Sequence, residues 1–468
     1  MELGDFTASL IGITGEIDAF MYTYILVILL VAVGIWFSIR TKFVQIRYIK
    51  DMFTQLTEKK HVQGERSISS FQALMVSTAS RVGTGNIAGI ATAIATGGPG
   101  AVFWMWVMSI VGAASAFIES TLAQLYKEKG DDSFVGGPAY YIQKGMKSRW
   151  FAVVFAVLIT VTFGLAFNSV QSNTISSALD HTFGVSPVVT GIVLATLSLL
   201  VICGGIQRIS RFSEWIVPVM AIAYLVLAIV VIAMNITAIP HVLRMIIVEA
   251  FTGNAAIGGG IGAAVMMGVK RGLFSNEAGE GSAPNVAATA AVSHPVKQGL
   301  IQTLAVFTDT LLVCSCTAFI ILCSGIFDNG QSGIALTQTA LTTEVGRSGA
   351  IFVTLAIFIF AFTSIVANYY YGETNLHFIR HSRVMIWVYR AMVGGMVFVG
   401  AVSSLDFVWG LADITMGLMT LCNLTAILTL GRYAIRLLND YTLQRTRGYN
   451  PVYTSATIPE IARDTPCW

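Results

Sequence analysis

Stretches of about 20 mostly apolar residues recur along nearly the whole of this 468-residue chain. A helix needs about that many to cross ~30 Å of hydrocarbon. The bilayer core offers no water, so every backbone N–H and C=O there must be bonded within the protein. The runs are therefore expected to be membrane-spanning helices. Composition agrees, with 55% of residues hydrophobic and only 11% charged. No stretch between the runs is long enough for a separate soluble domain. The net charge of +3 is small and follows from loop bias, so no nucleic-acid partner is expected. Cys203, Cys314, Cys316, Cys323, Cys422 and Cys467 mostly lie inside apolar runs, with neither zinc-site spacing nor a disulfide framework. They are expected to act as small hydrophobes in packed helices. The residues before the first run are acidic (Glu2, Asp5, Glu16, Asp18), so that run is expected to be a retained helix and not a cleaved leader.

Eleven crossings account for the runs: about 20–39, 69–96, 101–126, 151–178, 188–203, 215–236, 258–291, 298–322, 350–371, 384–402 and 409–430. Basic residues cluster in alternate loops. Arg40, Lys42, Arg47, Lys50, Lys59, Lys60 and Arg66 follow the first run, and Lys127, Lys129, Lys144, Lys147 and Arg149 the third. Arg208 and Arg211 follow the fifth, Arg380 and Arg383 the ninth, and Arg432, Arg436, Arg445 and Arg447 the last; Arg244 and Arg347 are the exceptions. By the positive-inside rule the N-terminus is expected outside and the C-terminus in the cytoplasm.

Two of the runs are interrupted. Residues 79–100 read ASRVGTGNIAGIATAIATGGPG, and residues 270–285 read KRGLFSNEAGEGSAPN. Glycine alone would be explained by close helix packing. Asn86, Glu277 and Glu280 would not; the charge of either glutamate at the membrane centre would cost at least ~2.5–3.5 kcal/mol. Unwound backbone at that depth persists only where protein or a water-filled cavity satisfies it. With the first helix set aside, the interruptions open two successive groups of five helices. Five is odd, so the groups run in opposite senses, which is the inverted-repeat plan of several secondary transporters. The second half of the first broken helix begins near Asn86, and its free N–H groups suit a carboxylate. Freed carbonyls around 79–82 and 272–275 suit an ammonium group or a Na⁺ ion. A zwitterionic amino acid presents both charges.

GGPGAVFWMWVMSIVG at 97–112 resembles the signature of the alanine or glycine:cation symporter family, the bacterial sodium:alanine symporters. SRVGTGNIAG (80–89), LFSNEAGEGSAPN (273–285), FTSIVANYYYGE (362–373) and LADITMGLMTLCNLTAI (411–427) extend the likeness in the same order over nearly the whole chain. The resemblance implies an all-α membrane protein of the leucine-transporter type, with five plus five inverted helices after one extra N-terminal helix. On that plan residues 1–67 form the N-terminal segment, 68–237 and 238–431 the two repeats, and 432–468 a cytoplasmic tail. It also implies roles. Gly83, Thr84, Gly85 and Asn86 would hold the substrate carboxylate; Phe274, Ser275 and neighbouring carbonyls would receive its ammonium. Asn168, Gln171 and Asn368 would line the same cavity, Asn368 at a position where other members often carry a bulkier aromatic. Thr363 and Ser364 would complete a Na⁺ site with the carbonyls of Ala79 and Val82.

The expected activity is Na⁺-coupled uptake of a small neutral amino acid, alanine or glycine, across the bacterial cytoplasmic (inner) membrane. Glutamine, serine and proton coupling stand as alternatives. No organic cofactor and no obligate protein partner is expected. Arg81 and Glu277 flank the breaks and are read as a pair or gate across the site. Glu119, Asp309, Glu373 and Asp413 are read as charges near helix ends or facing surfaces, paired inside the bundle. An intramembrane enzyme is disfavoured: no His-Glu-x-x-His occurs, and all six histidines fall near loops or helix ends.

Overall fold

Ser69 and Gln72 start the first interrupted helix. The Ser69 hydroxyl accepts the Gln72 N–H at 3.1 Å and the Gln72 side chain accepts the Ser69 N–H at 3.0 Å, satisfying two donors that a helix start leaves unpaired. The computed structural model describes residue 12 and residues 14–57, 68–130, 133–203, 205–252 and 260–468, with the backbone alone at 205–208. Glu2, Asp5, Lys59, Lys60, Arg66, the Arg208 side chain and the expected start of the seventh run at Gly258 lie outside what is described.

In chain order the helices begin with α1 (Thr14–Arg40), α2 (Ile49–Leu56), α3 (Ser70–Arg81), α4 (Ile90–Gly97), α5 (Gly100–Leu125) and α6 (Pro138–Gly145). Then come α7 (Arg149–Phe183), α8 (Pro187–Ile202), α9 (Gly205–Met234), α10 (Ile239–Thr252), α11 (Gly260–Asn276) and α12 (Pro284–Ala287). The last are α13 (Pro295–Ser324), α14 (Gly333–Val345), α15 (Arg347–Ile379), α16 (Arg383–Val402) and α17 (Leu405–Thr446). Among the described residues eight of these, α1, α5, α7, α9, α13, α15, α16 and α17, are long and apolar enough to cross a membrane. α8 is apolar but shorter, and the interrupted runs are α3–α4 and α11–α12.

Several elements depart from the sequence reading. The second interruption spans 277–283 rather than starting at Lys270, because Lys270 and Arg271 stay helical with their charges paired to acids. Helix then resumes for one turn, Pro284–Ala287, instead of running to 291. α17 runs well past residue 430, its basic end held by Arg445 against Asp51 at 2.5 Å. α10 and α14 are too short or too polar for a test built on 20-residue apolar runs. The tail packs back on the helix ends. The Tyr453 N–H donates to Ser293 O at 2.8 Å, and Trp468 Nε1 to Gln124 O at 3.0 Å.

Glycines let α5 lie close against its neighbours. A Cβ at Gly268 would meet Ala101 O at 2.5 Å and Trp104 Cβ at 2.7 Å; one at Gly299 would meet Thr121 Oγ1 at 2.2 Å. Small residues at such crossings replace the hydrophobic drive that lipid removes. Gly268→Leu is therefore expected to destabilise the detergent-purified protein by about 1–3 kcal/mol, the cost of overpacking, read as a lower melting temperature. Gly395→Leu, where no atom lies within 4 Å, should leave the melt unchanged.

Candidate functional site: two helix breaks joined by a buried acid

The first break begins where Val82 turns to φ −79°, ψ 89° and leaves the helix. Two freed donors find side chains: the Gly83 N–H bonds Asn86 Oδ1 at 3.0 Å and the Thr84 N–H bonds Gln171 Oε1 at 2.9 Å. A π-helical turn, Gly85–Gly89, then leads into α4. Space is tight on both sides. A Cβ at Gly83 would lie 2.4 Å from Ser364 Oγ and 2.8 Å from Gln171 Oε1; one at Gly85 would lie 3.0 Å from Phe274 Cδ1. Only glycine admits this approach.

The second break is bent by left-handed residues, Glu277 at φ +56° and Gly279 and Gly281 at +90°. Such a φ at a glutamate is strained and must be held by its surroundings. Asp309 joins the two breaks. Its Oδ1 accepts Asn86 Nδ2 at 2.6 Å, and its Oδ2 accepts the hydroxyls of Ser275 at 2.6 Å and Thr310 at 3.2 Å. The sequence reading set Asp309 among acids near helix ends or surfaces. It is instead buried at the junction, on a π-helical turn, Thr308–Cys314, of α13. The available signal was a lone acid between two threonines in an apolar run. A third π-helical turn, Thr162–Phe167, immediately precedes Asn168 in α7. π turns of this kind concentrate at functional sites.

The remaining candidates gather around these contacts. The Ser364 hydroxyl donates to Ala79 O at 2.7 Å and lies 3.5 Å from Val82 O; the Thr363 hydroxyl bonds back to Phe360 O at 2.8 Å within its own helix. Asn368 Nδ2 donates to Asn168 Oδ1 at 3.2 Å, and Ser80 Oγ lies 2.7 Å from Asn368 Oδ1 and 2.6 Å from Glu277 Oε1. Phe274 is held between Phe167 and Trp409, with ring centroids 4.4 and 4.6 Å away. Thr84 Oγ1 and Trp409 Nε1 are buried without a partner. Sequence reasoning did not single out Trp409, whose position only the fold reveals.

Charged layers lie on either side. Toward α4, Arg271 bonds Asp413 through both nitrogens at 3.1 and 2.8 Å and covers the Trp409 ring at 3.9 Å. Lys270 bridges Asp413 at 2.8 Å and Asp18 at 2.5 Å. Toward α3, the expected Arg81–Glu277 pair does not form. Arg81 Nη1 donates to Gln302 Oε1 at 3.2 Å, while Ser80 and Ser282 occupy Glu277. Each charge finds a nearer neutral partner. Glu119 accepts the Gly279 N–H at 3.2 Å and Asn423 Nδ2 at 2.7 Å. Glu373 is paired with Arg390 at 3.2 Å.

Asp309→Ala would remove the acceptor shared by three buried donors, leaving Asn86 and Ser275 with the weakly accepting Cys314 Sγ, at about 1–3 kcal/mol for each group left poorly paired. It is expected to lower the melting temperature markedly, and an unchanged melt would contradict its role as the joint between the breaks.

The sequence matches the Sodium:alanine symporter family over residues 7–455. It is 51% identical to the amino-acid carrier protein AlsT of Bacillus subtilis, with 97% of each chain covered. It is 50% identical to the probable sodium/glutamine symporter GlnT of the same organism, over 94% of this chain and 92% of that one. The putative sodium/proton-dependent alanine carrier protein YrbD, also of B. subtilis, is 43% identical over 96% and 95%. A manganese transporter of Eremococcus coleocola superposes over 85% of both chains with a TM-score of 0.52 at 14% identity, a likeness of fold alone. These matches run nearly end to end, and the chain belongs to the sodium:alanine symporter family, whose members are membrane carriers and not enzymes.

Proposed function

We propose that the chain is a secondary active carrier that moves Na⁺ and a small neutral amino acid, alanine or glycine, into the cell together. One observation carries the reading. The Ser364 hydroxyl sits against the carbonyls of Ala79 and Val82, directly beside Gly83. Oxygens suited to Na⁺ thus adjoin, on one helix break, the N–H groups of Gly83 and Thr84, which Asn86 and Gln171 hold and which a carboxylate would take over, the arrangement by which broken helices hold ion and anionic group together. Ser364, Ala79 and Val82, with Thr363 one residue along, would take the ion. Gly83, Thr84, Gly85 and Asn86 would take the carboxylate. Phe274 and Ser275 would receive the ammonium, with Gln171 positioning the first break. Thr84 Oγ1, buried and unpartnered, is free to bond the substrate.

The architecture proposed with this is eleven crossings: the eight long helices, α8 and the two interrupted runs. α1 is the extra helix. Residues 68–237 and 238–431 form two inverted five-helix repeats of the leucine-transporter type, and 432–468 the tail. In the bacterial cytoplasmic membrane, with the N-terminus outside, the Arg271–Asp413 layer faces outward and Arg81 and Glu119 face the cytoplasm. A polar cavity of about 240 Å³ lined by Asn173, Thr174 and Ser176 lies one helical turn from Gln171 and offers the outer access route. Opening it to the site requires Phe274 to leave Gly85. Alternating access then follows from rocking of one repeat against the other. The driving force suffices: one charge moved down ~100 mV supplies ~2.3 kcal/mol, roughly fifty-fold accumulation before the Na⁺ gradient is counted.

A second reading is glutamine or serine as substrate. It is favoured by the Asn168–Asn368 wall, which offers amide donors and acceptors to a polar side chain. Relatives named for glutamine and for amino acids in general match almost equally well. Uptake of radiolabelled alanine into proteoliposomes, with glycine, glutamine and serine as competitors, ranks these. Accumulation is expected only with an inward Na⁺ gradient. Ser364→Ala should raise the half-saturating Na⁺ concentration about tenfold, the equivalent of ~1.4 kcal/mol. Equal uptake in choline would sink the Na⁺-coupled reading.

A further inference from the structure

The second break holds an acid that this scheme leaves unused. Glu280 stands between Gly279 and Gly281, both at φ +90°. It is fully buried, and neither of its carboxyl oxygens has a hydrogen-bond partner. The other buried acids nearby differ. Glu277 accepts Ser80 at 2.6 Å and Ser282 at 2.5 Å; Glu119 accepts the Gly279 N–H at 3.2 Å and Asn423 at 2.7 Å. Asp309 accepts Asn86, Ser275 and Thr310. Donors aimed at a carboxylate favour its ionised form. The Ser282 hydroxyl, which lies close to Glu280, is already given to Glu277.

The charges around it make ionisation costlier. Glu280 is faced by Arg81 from α3, Glu119 from α5, Tyr371 from α15 and Tyr22 from α1, with Glu277 in the same break. One cation faces three acids, so with all of them ionised two negative charges would remain uncompensated. An unpaired buried carboxylate is costly to keep ionised, a cost it escapes by taking up a proton. Water is kept away by close packing: a Cβ at Gly281 would meet Pro138 Cγ at 2.8 Å, and Asn423 Cγ and Phe155 Cζ at 2.9 Å.

We propose that Glu280 is a proton-binding site of the transport cycle, protonated while the second break is packed as in this structure and exchanging with water when the break separates from α6, α7 and α17. The step is a simple transfer: a carboxylate oxygen takes a proton from water on one side and returns it when the break opens again. Its place in a cycle rests on the reading of the chain as a carrier; its protonation does not.

Two measurements on the full-length protein separate these. The first is pH-difference infrared spectroscopy of detergent-purified wild type and Glu280→Gln. A protonated-carboxyl C=O component present in the wild type and lost from the difference spectrum of Glu280→Gln is expected, and a wild-type carboxyl region unchanged in Glu280→Gln overturns the site. Glu280→Asp, which keeps the acid, should move the band without abolishing it and covers the case of a Gln variant that does not fold. The second is the pH dependence of Na⁺-driven alanine uptake in proteoliposomes. The wild-type rate should change by up to about tenfold per pH unit through the titration, and Glu280→Gln should lose that slope. A variant with the wild-type slope removes Glu280 from the cycle. Wild-type protein that accumulates no amino acid overturns the carrier reading instead, and the infrared result still decides protonation.

Discussion

The carboxylate of Asp309 holds the two helix breaks to one another. Each break alone is a liability, a stretch of backbone without its helical bonds at a depth where water is absent. Asn86 satisfies the first by accepting the Gly83 N–H, and its amide is in turn held by Asp309; Ser275, at the edge of the second, is held by the same acid. Hydrogen bonds of this kind are stronger where the local dielectric is low. Two interrupted helices that could each wander are thereby fixed as one rigid junction. The geometry of Gly83, Ser364, Gln171 and Phe274 follows from it.

Around that junction the chain is arranged in layers of differing polarity. The Lys270–Arg271–Asp413–Asp18 cluster carries two positive and two negative charges and caps the aromatic group of Phe274, Trp409 and Phe167. On the opposite side lie Arg81, Glu119, Glu277 and Glu280, bonded largely through neutral amides and hydroxyls and unbalanced in charge. A balanced ion cluster is costly to open, because each partner must be left or resolvated. An unbalanced group changes its protonation instead. The two sides thus differ in what would open them: separation of opposite charges on one and, on the proposal for Glu280, proton access on the other.

Much of this was legible in the sequence, for definite reasons. Long apolar runs have few readings at bilayer depth, and Gly-rich polar inserts such as RVGTGN and SNEAGEG have fewer still. The amides of Asn86 and Gln171 stood out as polar groups in apolar surroundings, whereas Ser364 was singled out only through the family resemblance. Partnership was not legible. Asn86 and Asp309 are 223 positions apart and Arg271 and Asp413 are 142 apart, so an acid that joins the breaks looked like one more charge in a helix. The same blindness paired Arg81 with Glu277, two charges near the breaks whose actual neighbours are Gln302, Ser80 and Ser282. The second break was placed to begin at Lys270 because a run of charge and glycine resembles an interruption. Paired to Asp18 and Asp413, those residues remain helical.

The central claim is that ion and amino acid occupy one junction, side by side on the first break. Equilibrium binding to the purified protein tests it most directly. Radiolabelled alanine is titrated in Na⁺ and in choline, and Na⁺ binding is titrated with and without alanine. Linkage requires that each ligand change the affinity of the other by the same factor. A shared junction predicts a large, reciprocal increase that Ser364→Ala diminishes in both directions. An alanine affinity that is identical in Na⁺ and choline would contradict the account.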